Sequence, residues 1–177
     1  MIKKSFTSII LLITIAAFAY SQSAINHSVI TFKIKNLGIN TNGTIGGLHA
    51  DIHFNPADLT ASTLTASVEV NTLNTDNSER DDHLKSESFF DLAKYPRITL
   101  KSVSFKHKSG NNYTGVFDLT IKDQTKPVEI PFTYVENGNS QSFNGNFKIN
   151  RLDFGIGSHS MIMSDEVFIS INAEAVK

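Results

Sequence analysis

From Ser28 onward the apolar side chains recur at every second position, the period of a β-strand and not of a helix. Ile30, Phe32 and Ile34 alternate with Thr31, Lys33 and Lys35, so one face is apolar and the other wet. The pattern returns at Leu48, Ala50, Ile52 and Phe54, at Leu64, Ala66, Val68 and Val70, and at Tyr113, Gly115, Phe117, Leu119 and Ile121. Val128, Ile130, Phe132 and Tyr134 continue it, then Phe143, Gly145, Phe147 and Ile149, and last Val167, Ile169, Ile171 and Ala173. Ile98 and Leu100 lie on one phase and Val103 and Phe105 on the other, which predicts a β-bulge near Lys101 and Ser102. Turn formers separate the runs at Asn42-Gly43, Asn55-Pro56, Ser109 to Asn112, Lys122 to Gln124 and Asn137 to Asn139.

This pattern predicts an all-β fold of eight antiparallel strands. Short sequential hairpins favour closure as an up-and-down barrel over a sandwich. Thr75 to Tyr95 lose the alternation, and Ser78 followed by Asp81 resembles a helix start that Pro96 must end. A short helical insertion is therefore expected between strands three and four. Leu152 to Ser164, with Gly155 and Gly157, forms a long loop before the last strand.

An eight-stranded barrel is wide enough only to be filled by side chains or to hold one small ligand. Strands of about ten residues give a lumen roughly 25 Å tall, so its natural guest is chain-shaped. On the inward phase stand Phe32, Ile34, Leu48, Ile52, Phe54, Val68, Phe117, Leu119, Phe132, Phe143, Phe147 and Ile149. These side chains present hydrocarbon with no polar group needing a partner. Phe89 and Phe90 of the insertion would cover the open end, since two adjacent rings are not left in water cheaply. Alternation alone leaves two states open, a solid core of rings or a hollow lumen that accepts a lipid.

Residues 1–21 read as a cleaved secretory signal, with Lys3 and Lys4 ahead of the apolar run from Ile9 to Ala19 and small residues at Ala17, Ala19 and Ser21. That run falls short of the roughly 20 residues of a membrane-spanning helix. The expected mature domain, 22–177, is thus soluble and periplasmic or secreted. It carries 14 basic against 17 acidic side chains, a balance that argues against nucleic acid as partner. The chain has no cysteine, which excludes disulfides, thiol nucleophiles and thiolate metal sites.

Several segments resemble the YceI-like family of bacterial exported proteins. They are His27 to Ile34, Asn71 to Thr75, Arg80-Asp81-Asp82-His83-Leu84-Lys85 with Phe89-Phe90-Asp91, and Tyr95-Pro96-Arg97-Ile98. Gly115 to Lys122, Thr125 to Val128, Asn150 to Gly155 and Asp165-Glu166-Val167 follow in the family's order. The resemblance spans about residues 27 to 177. It implies a lipocalin-like eight-stranded barrel, usually periplasmic and often a homodimer, that binds a polyisoprenoid or similar amphiphilic lipid and has no established catalytic residues. Asn36-Leu37-Gly38 stands where family members commonly carry a histidine.

The remaining constellations are weaker. His49 and His53 lie on one alternating strand, so they stand roughly 13 Å apart and cannot share an ion as one strand. Arg80 and His83 on the insertion, and Arg151, are candidates for a ligand head group, because guanidinium pairs with phosphate in two-pronged fashion. Local pairing at a helix start and an ion pair of Arg151 with Asp153 or Asp165 are the structural alternatives. No nucleophile elbow and no glycine-rich phosphate loop is present. The expected activity is lipid binding, not catalysis, with no metal and no cofactor. Its rivals are a metal-assisted hydrolase and a filled barrel that binds other proteins.

Overall fold

The computed structural model describes residues 24–177; the expected signal, 1–21, lies outside them. The strands are β1 (Ala24–Asn36), β2 (Ile39–Ile45), β3 (His49–His53), β4 (Thr63–Glu69), β5 (Arg97–Ser109), β6 (Asn112–Ile121), β7 (Gln124–Asn137), β8 (Ser140–Asn150) and β9 (Met163–Val176). One helix, α1 (Ser78–Lys85), stands between β4 and β5. All neighbours are antiparallel, in the order β2-β1-β9-β8-β7-β6-β5-β4-β3.

The two edges of that order, β2 and β3, are consecutive in the chain. Residues 46–48 alone join them, a length that spans only about 14 Å from Ile45 to His49 even when fully extended. The sheet is therefore forced to curl until the end of β2 lies near the start of β3, although the two edge strands do not pair with each other. The seam is stitched by backbone bonds: Glu69 N–H donates to Gly46 O at 3.0 Å, and Thr44 and Asn74 exchange bonds of 2.8 and 3.0 Å. The antiparallel curled sheet agrees with the expected class, but the described residues hold nine strands where the pattern predicts eight.

The additional strand is β2. Its inward positions Thr41 and Gly43 carry no apolar signal, and Asn42-Gly43 imitates a hairpin turn. The real turn comes earlier, where Leu37 and Gly38 adopt φ of 52° and 77°. Gly43 instead sits mid-strand opposite Phe32, and a Cβ there would lie 2.3 Å from Phe32 Cζ. The far end of the Phe32 ring occupies the space a side chain at 43 would need. The β5 bulge falls between Ser102 and Ser104, about one residue beyond its expected place. Helix α1 is capped by Asn77, not Ser78: Asn77 Oδ1 accepts Arg80 N–H at 2.8 Å.

The interior is neither wholly solid nor wholly hollow. At the end away from the insertion, the Phe54 ring lies 4.8–5.7 Å from the rings of Phe105, Tyr113, Phe132, Tyr134 and Phe143. Most meet edge to face, the arrangement favoured by the ring quadrupole, and each such pair contributes about 0.5–1.5 kcal/mol beyond area burial. Phe117 extends the cluster, packing 5.7 Å from Phe105. The second cluster, Leu119, Ile121, Ile149, Phe154 and Ile156, lies toward α1.

Gly43→Ala should destabilise the protein by about 1–3 kcal/mol, the usual cost of forcing a methyl into a packed site. A urea midpoint unchanged from the parent would show that the Phe32 ring yields freely.

Candidate functional site

Above the aromatic plug the barrel encloses a cavity of about 440 Å³. Its walls come from alternate residues of β1, β4, β5, β6, β8 and β9, which is the direct product of period-two patterning on a curled sheet. Phe32, Ile34, Val68, Leu119, Phe147 and Ile149 of the expected set line it. Phe89 and Phe90 of the insertion line it as well.

Others in that set lie elsewhere. Ile52, Phe54, Phe117, Phe132 and Phe143 belong to the aromatic plug, and Leu48 is outside the lining. Phe54, Phe117 and Phe132 are buried inside the barrel but do not reach the cavity. Alternation reports which face a residue takes, not its height along the barrel, and these three sit in the filled half. Ile98, Leu100, Ile121, Val167, Ile169 and Ile171, on the apolar phases of their strands but outside the expected set, also line the cavity.

The ionisable side chains of the lining are Arg80, His83 and Arg151, and no carboxylate accompanies them. Arg151 is 2% exposed, and each of its three guanidinium nitrogens donates to the protein. Nε donates to Ser164 O at 3.0 Å, Nη1 to Ile156 O at 2.8 Å and Nη2 to Asp165 Oδ1 at 2.8 Å. One guanidinium thus ties together both ends of the 155–165 loop. Gly155, in the left-handed conformation, ends the turn Arg151–Phe154 and starts that loop. Gly157 N–H then donates to Ser88 O at 3.0 Å, docking the loop on the insertion. Of the two structural alternatives raised for the arginines, the Arg151–Asp165 pair is present.

Arg80 is held differently. Its Nε and Nη2 donate to Thr75 Oγ1 and Thr75 O at 2.8 and 2.6 Å, leaving Nη1 without a partner among the described residues. Asp81 does not pair with it; buried Asp81 accepts from Thr75 N–H and Thr75 Oγ1 at 2.9 and 2.5 Å. Arg80 and Asp81 grip Thr75 together and anchor α1 to the seam. His83 packs its ring edgewise on Phe89, with centroids 4.8 Å apart. The mouth therefore carries a fixed guanidinium and an imidazole above an apolar well. His49 and His53 are away from the cavity, with Nε2 atoms 3.9 Å from Glu69 and 3.5 Å from Asp51.

The YceI-like domain matches residues 21–175. The chain belongs to the YceI-like family. It is 30% identical over 158 residues to a UPF0312 protein of Yersinia pestis (strain Pestoides F), covering 85% of this chain and 82% of that one. It superposes on BcnA of Burkholderia cenocepacia with a TM-score of 0.80 at 27% identity, over 84% of this chain and 96% of BcnA. It also superposes on a polyisoprenoid binding domain from Saccharophagus degradans implicated in plant cell wall breakdown, with a TM-score of 0.70 over 88% and 97% of the two chains. At 12% identity that last likeness speaks for the fold alone.

For this YceI-like chain, Arg151→Ala should cost about 3–5 kcal/mol, because it strands a partly buried carboxylate and two carbonyls. Asp165→Asn should cost less, since Asp165 is 29% exposed and water covers part of the loss. Urea denaturation of both variants checks the order, and a milder effect for Arg151→Ala would remove the guanidinium from its role as the loop's anchor.

Proposed function

We propose that this protein binds one long-chain apolar lipid, of polyisoprenoid type, in the hollow half of its barrel. The observation that carries this is the cavity itself: about 440 Å³, walled by aliphatic and phenyl side chains, without a carboxylate, and stopped at one end by packed rings. That volume lies within the 300–1,000 Å³ range of small-molecule pockets. Each CH₂ withdrawn from water contributes about 0.8 kcal/mol, so a chain needs few polar contacts to bind tightly. The family, and a fold shared with a polyisoprenoid binding domain, support the same ligand class.

The polar end of the ligand would lie at the mouth, against Arg80 and His83. Arg80 is pre-oriented by Thr75, keeps an Nη1 with no hydrogen-bond partner among the described residues, and faces no acid within the lining. A phosphate or carboxylate head suits it best, because a charge-assisted bond needs no rearrangement of the protein there. Arg151 is assigned no such role, since it is buried and each of its guanidinium nitrogens already bonds the 155–165 loop. The reading includes export by the segment with Lys3, Lys4 and the Ile9 to Ala19 run, and carriage or storage of the lipid outside the cytoplasm. It assigns no catalytic residue.

Organic extraction of the purified protein, with native mass spectrometry, should release a stoichiometric lipid; a protein that is empty and takes up no added prenyl lipid would refute the reading. The two halves of the barrel should also respond differently to charge. Phe147→Asp in the cavity wall should abolish lipid binding while the protein still unfolds cooperatively. Phe132→Asp in the plug should cost about 3–5 kcal/mol or more and lose fold and binding together. Arg80→Ala should weaken a prenyl phosphate about tenfold, the effect of one charged hydrogen bond, and leave the matching alcohol unchanged.

A further inference from the structure

Four large apolar side chains stand in water at one tip of the barrel. Leu37 is 68% exposed, Ile39 72%, Met161 98% and Ile162 55%. They come from two places distant in sequence, the β1–β2 turn with the first residue of β2 and the loop ahead of β9. Antiparallel pairing brings the two together: the β1–β9 ladder ends at Asn36 opposite Met163, and Leu37 N–H donates to Ile162 O at 2.7 Å. The apolar tip is thus a fixed part of the sheet's end.

The same segments form the lip of the cavity. Asn36, Ser160, Ile162 and Met163 line it, while Leu37, Ile39 and Met161 do not. Ile162 belongs to both surfaces, so apolar side chain runs unbroken from the lumen to the outside. Below the tip, on the wet face of β1, stand Lys33 and Lys35. Neither pairs with a carboxylate among the described residues; Lys33 Nζ lies 5.3 Å over the exposed Phe168 ring. On the adjoining strand β9, Asp165 pairs with Arg151 and Glu166 with Lys148 at 3.0 Å.

We propose that this tip, Leu37, Ile39, Met161 and Ile162 ringed by Lys33 and Lys35, is where the protein docks reversibly on an anionic lipid surface, so that its ligand passes between bilayer and lumen without crossing water. Four side chains are far too few for a second copy of the chain or another protein, since standard interfaces employ about 20–30 residues a side. A bilayer makes no such demand: a few apolar side chains enter the headgroup boundary and basic groups meet anionic lipid, giving weak and reversible attachment. A ligand that is itself a membrane lipid has to leave and re-enter a bilayer. The inference rests on the lumenal lipid reading, and its test is built to separate the two.

The chain contains no tryptophan, so Met161→Trp places a unique fluorophore at the tip. On adding vesicles of phosphatidylethanolamine and phosphatidylglycerol (3:1), its emission should move to the blue, and the shift should shrink as salt rises. The variant Leu37→Ser, Ile39→Ser, Met161→Ser should lose at least tenfold in co-sedimentation with those vesicles, yet take up an apolar fluorescent dye in solution as the parent does. These positions lie outside the cavity lining, so dye uptake also certifies the fold. An emission spectrum indifferent to vesicles, or equal sedimentation of parent and variant, would overturn the proposal. A blue shift that follows protein concentration without vesicles would also overturn it, in favour of a second copy. Failure of the lumenal reading shows separately, as no dye uptake by the parent.

Discussion

The packing of Phe54 against the rings around it decides what the rest of this barrel is free to be. A barrel of this size that is hollow throughout would have little core, and one filled throughout would have no site. Here the aromatic side chains are concentrated in one half, where edge-to-face contacts and burial of the largest side chains supply most of the packing. Because the rings sit between opposite walls, they hold the strands at a fixed spacing along their whole length. The upper half can then stay open without collapsing, since β5 to β8 run continuously from one half to the other. The hollow is supported from below.

Polar groups near the hollow are handled by assigning them to backbone, not by excluding them. Asp81 is buried, and it is satisfied by the Thr75 backbone and hydroxyl. Arg151 is more deeply buried and spends its fork on Ser164, Ile156 and Asp165. Both groups brace irregular chain, the insertion in one case and the long loop in the other. These are the segments that alternating strands cannot hold by themselves. A bond between Gly157 N–H and Ser88 O links the two, and a Cβ at Gly157 would lie 2.9 Å from Phe89 Cε1. The glycine lets the loop come down onto the ring that closes the cavity.

The period-two pattern made the barrel and most inward positions legible, because on a strand the side-chain period is fixed by covalent geometry. It failed at β2, where Thr41 and Gly43 take inward positions. Gly43 is there because Phe32 needs the room, a reason that lies on a neighbouring strand and is invisible locally. It also failed to divide the phenylalanines. Phe32 and Phe117 have the same phase and the same neighbours in kind, but one faces the cavity and the other the plug. Height along the barrel depends on strand register and tilt, which no single strand encodes. The same holds for the arginines: Arg80 and Arg151 look alike as cations near irregular chain, and only the hydrogen-bond partners show that one is engaged and the other has a donor to spare.

A wall of this kind also sets what the site is able to discriminate. Apolar contact distinguishes ligands weakly, about 1–3 kcal/mol per methylene gained or lost, and it rejects an added polar group only by the cost of burying it. The well should therefore accept hydrocarbon chains of several lengths and degrees of branching up to the limit set by the aromatic floor. Sharper selection requires a group that is left unpaired when the wrong ligand binds. On the proposed reading that role would fall to Arg80, with His83 beside it, since Thr75 fixes the guanidinium and no carboxylate in the lining stands ready to replace a missing head group. On the proposed reading, chain length would be read at the closed end by sterics and head-group charge at the open end by electrostatics. The two readouts are separated by the length of an apolar shaft, so either should be alterable without the other.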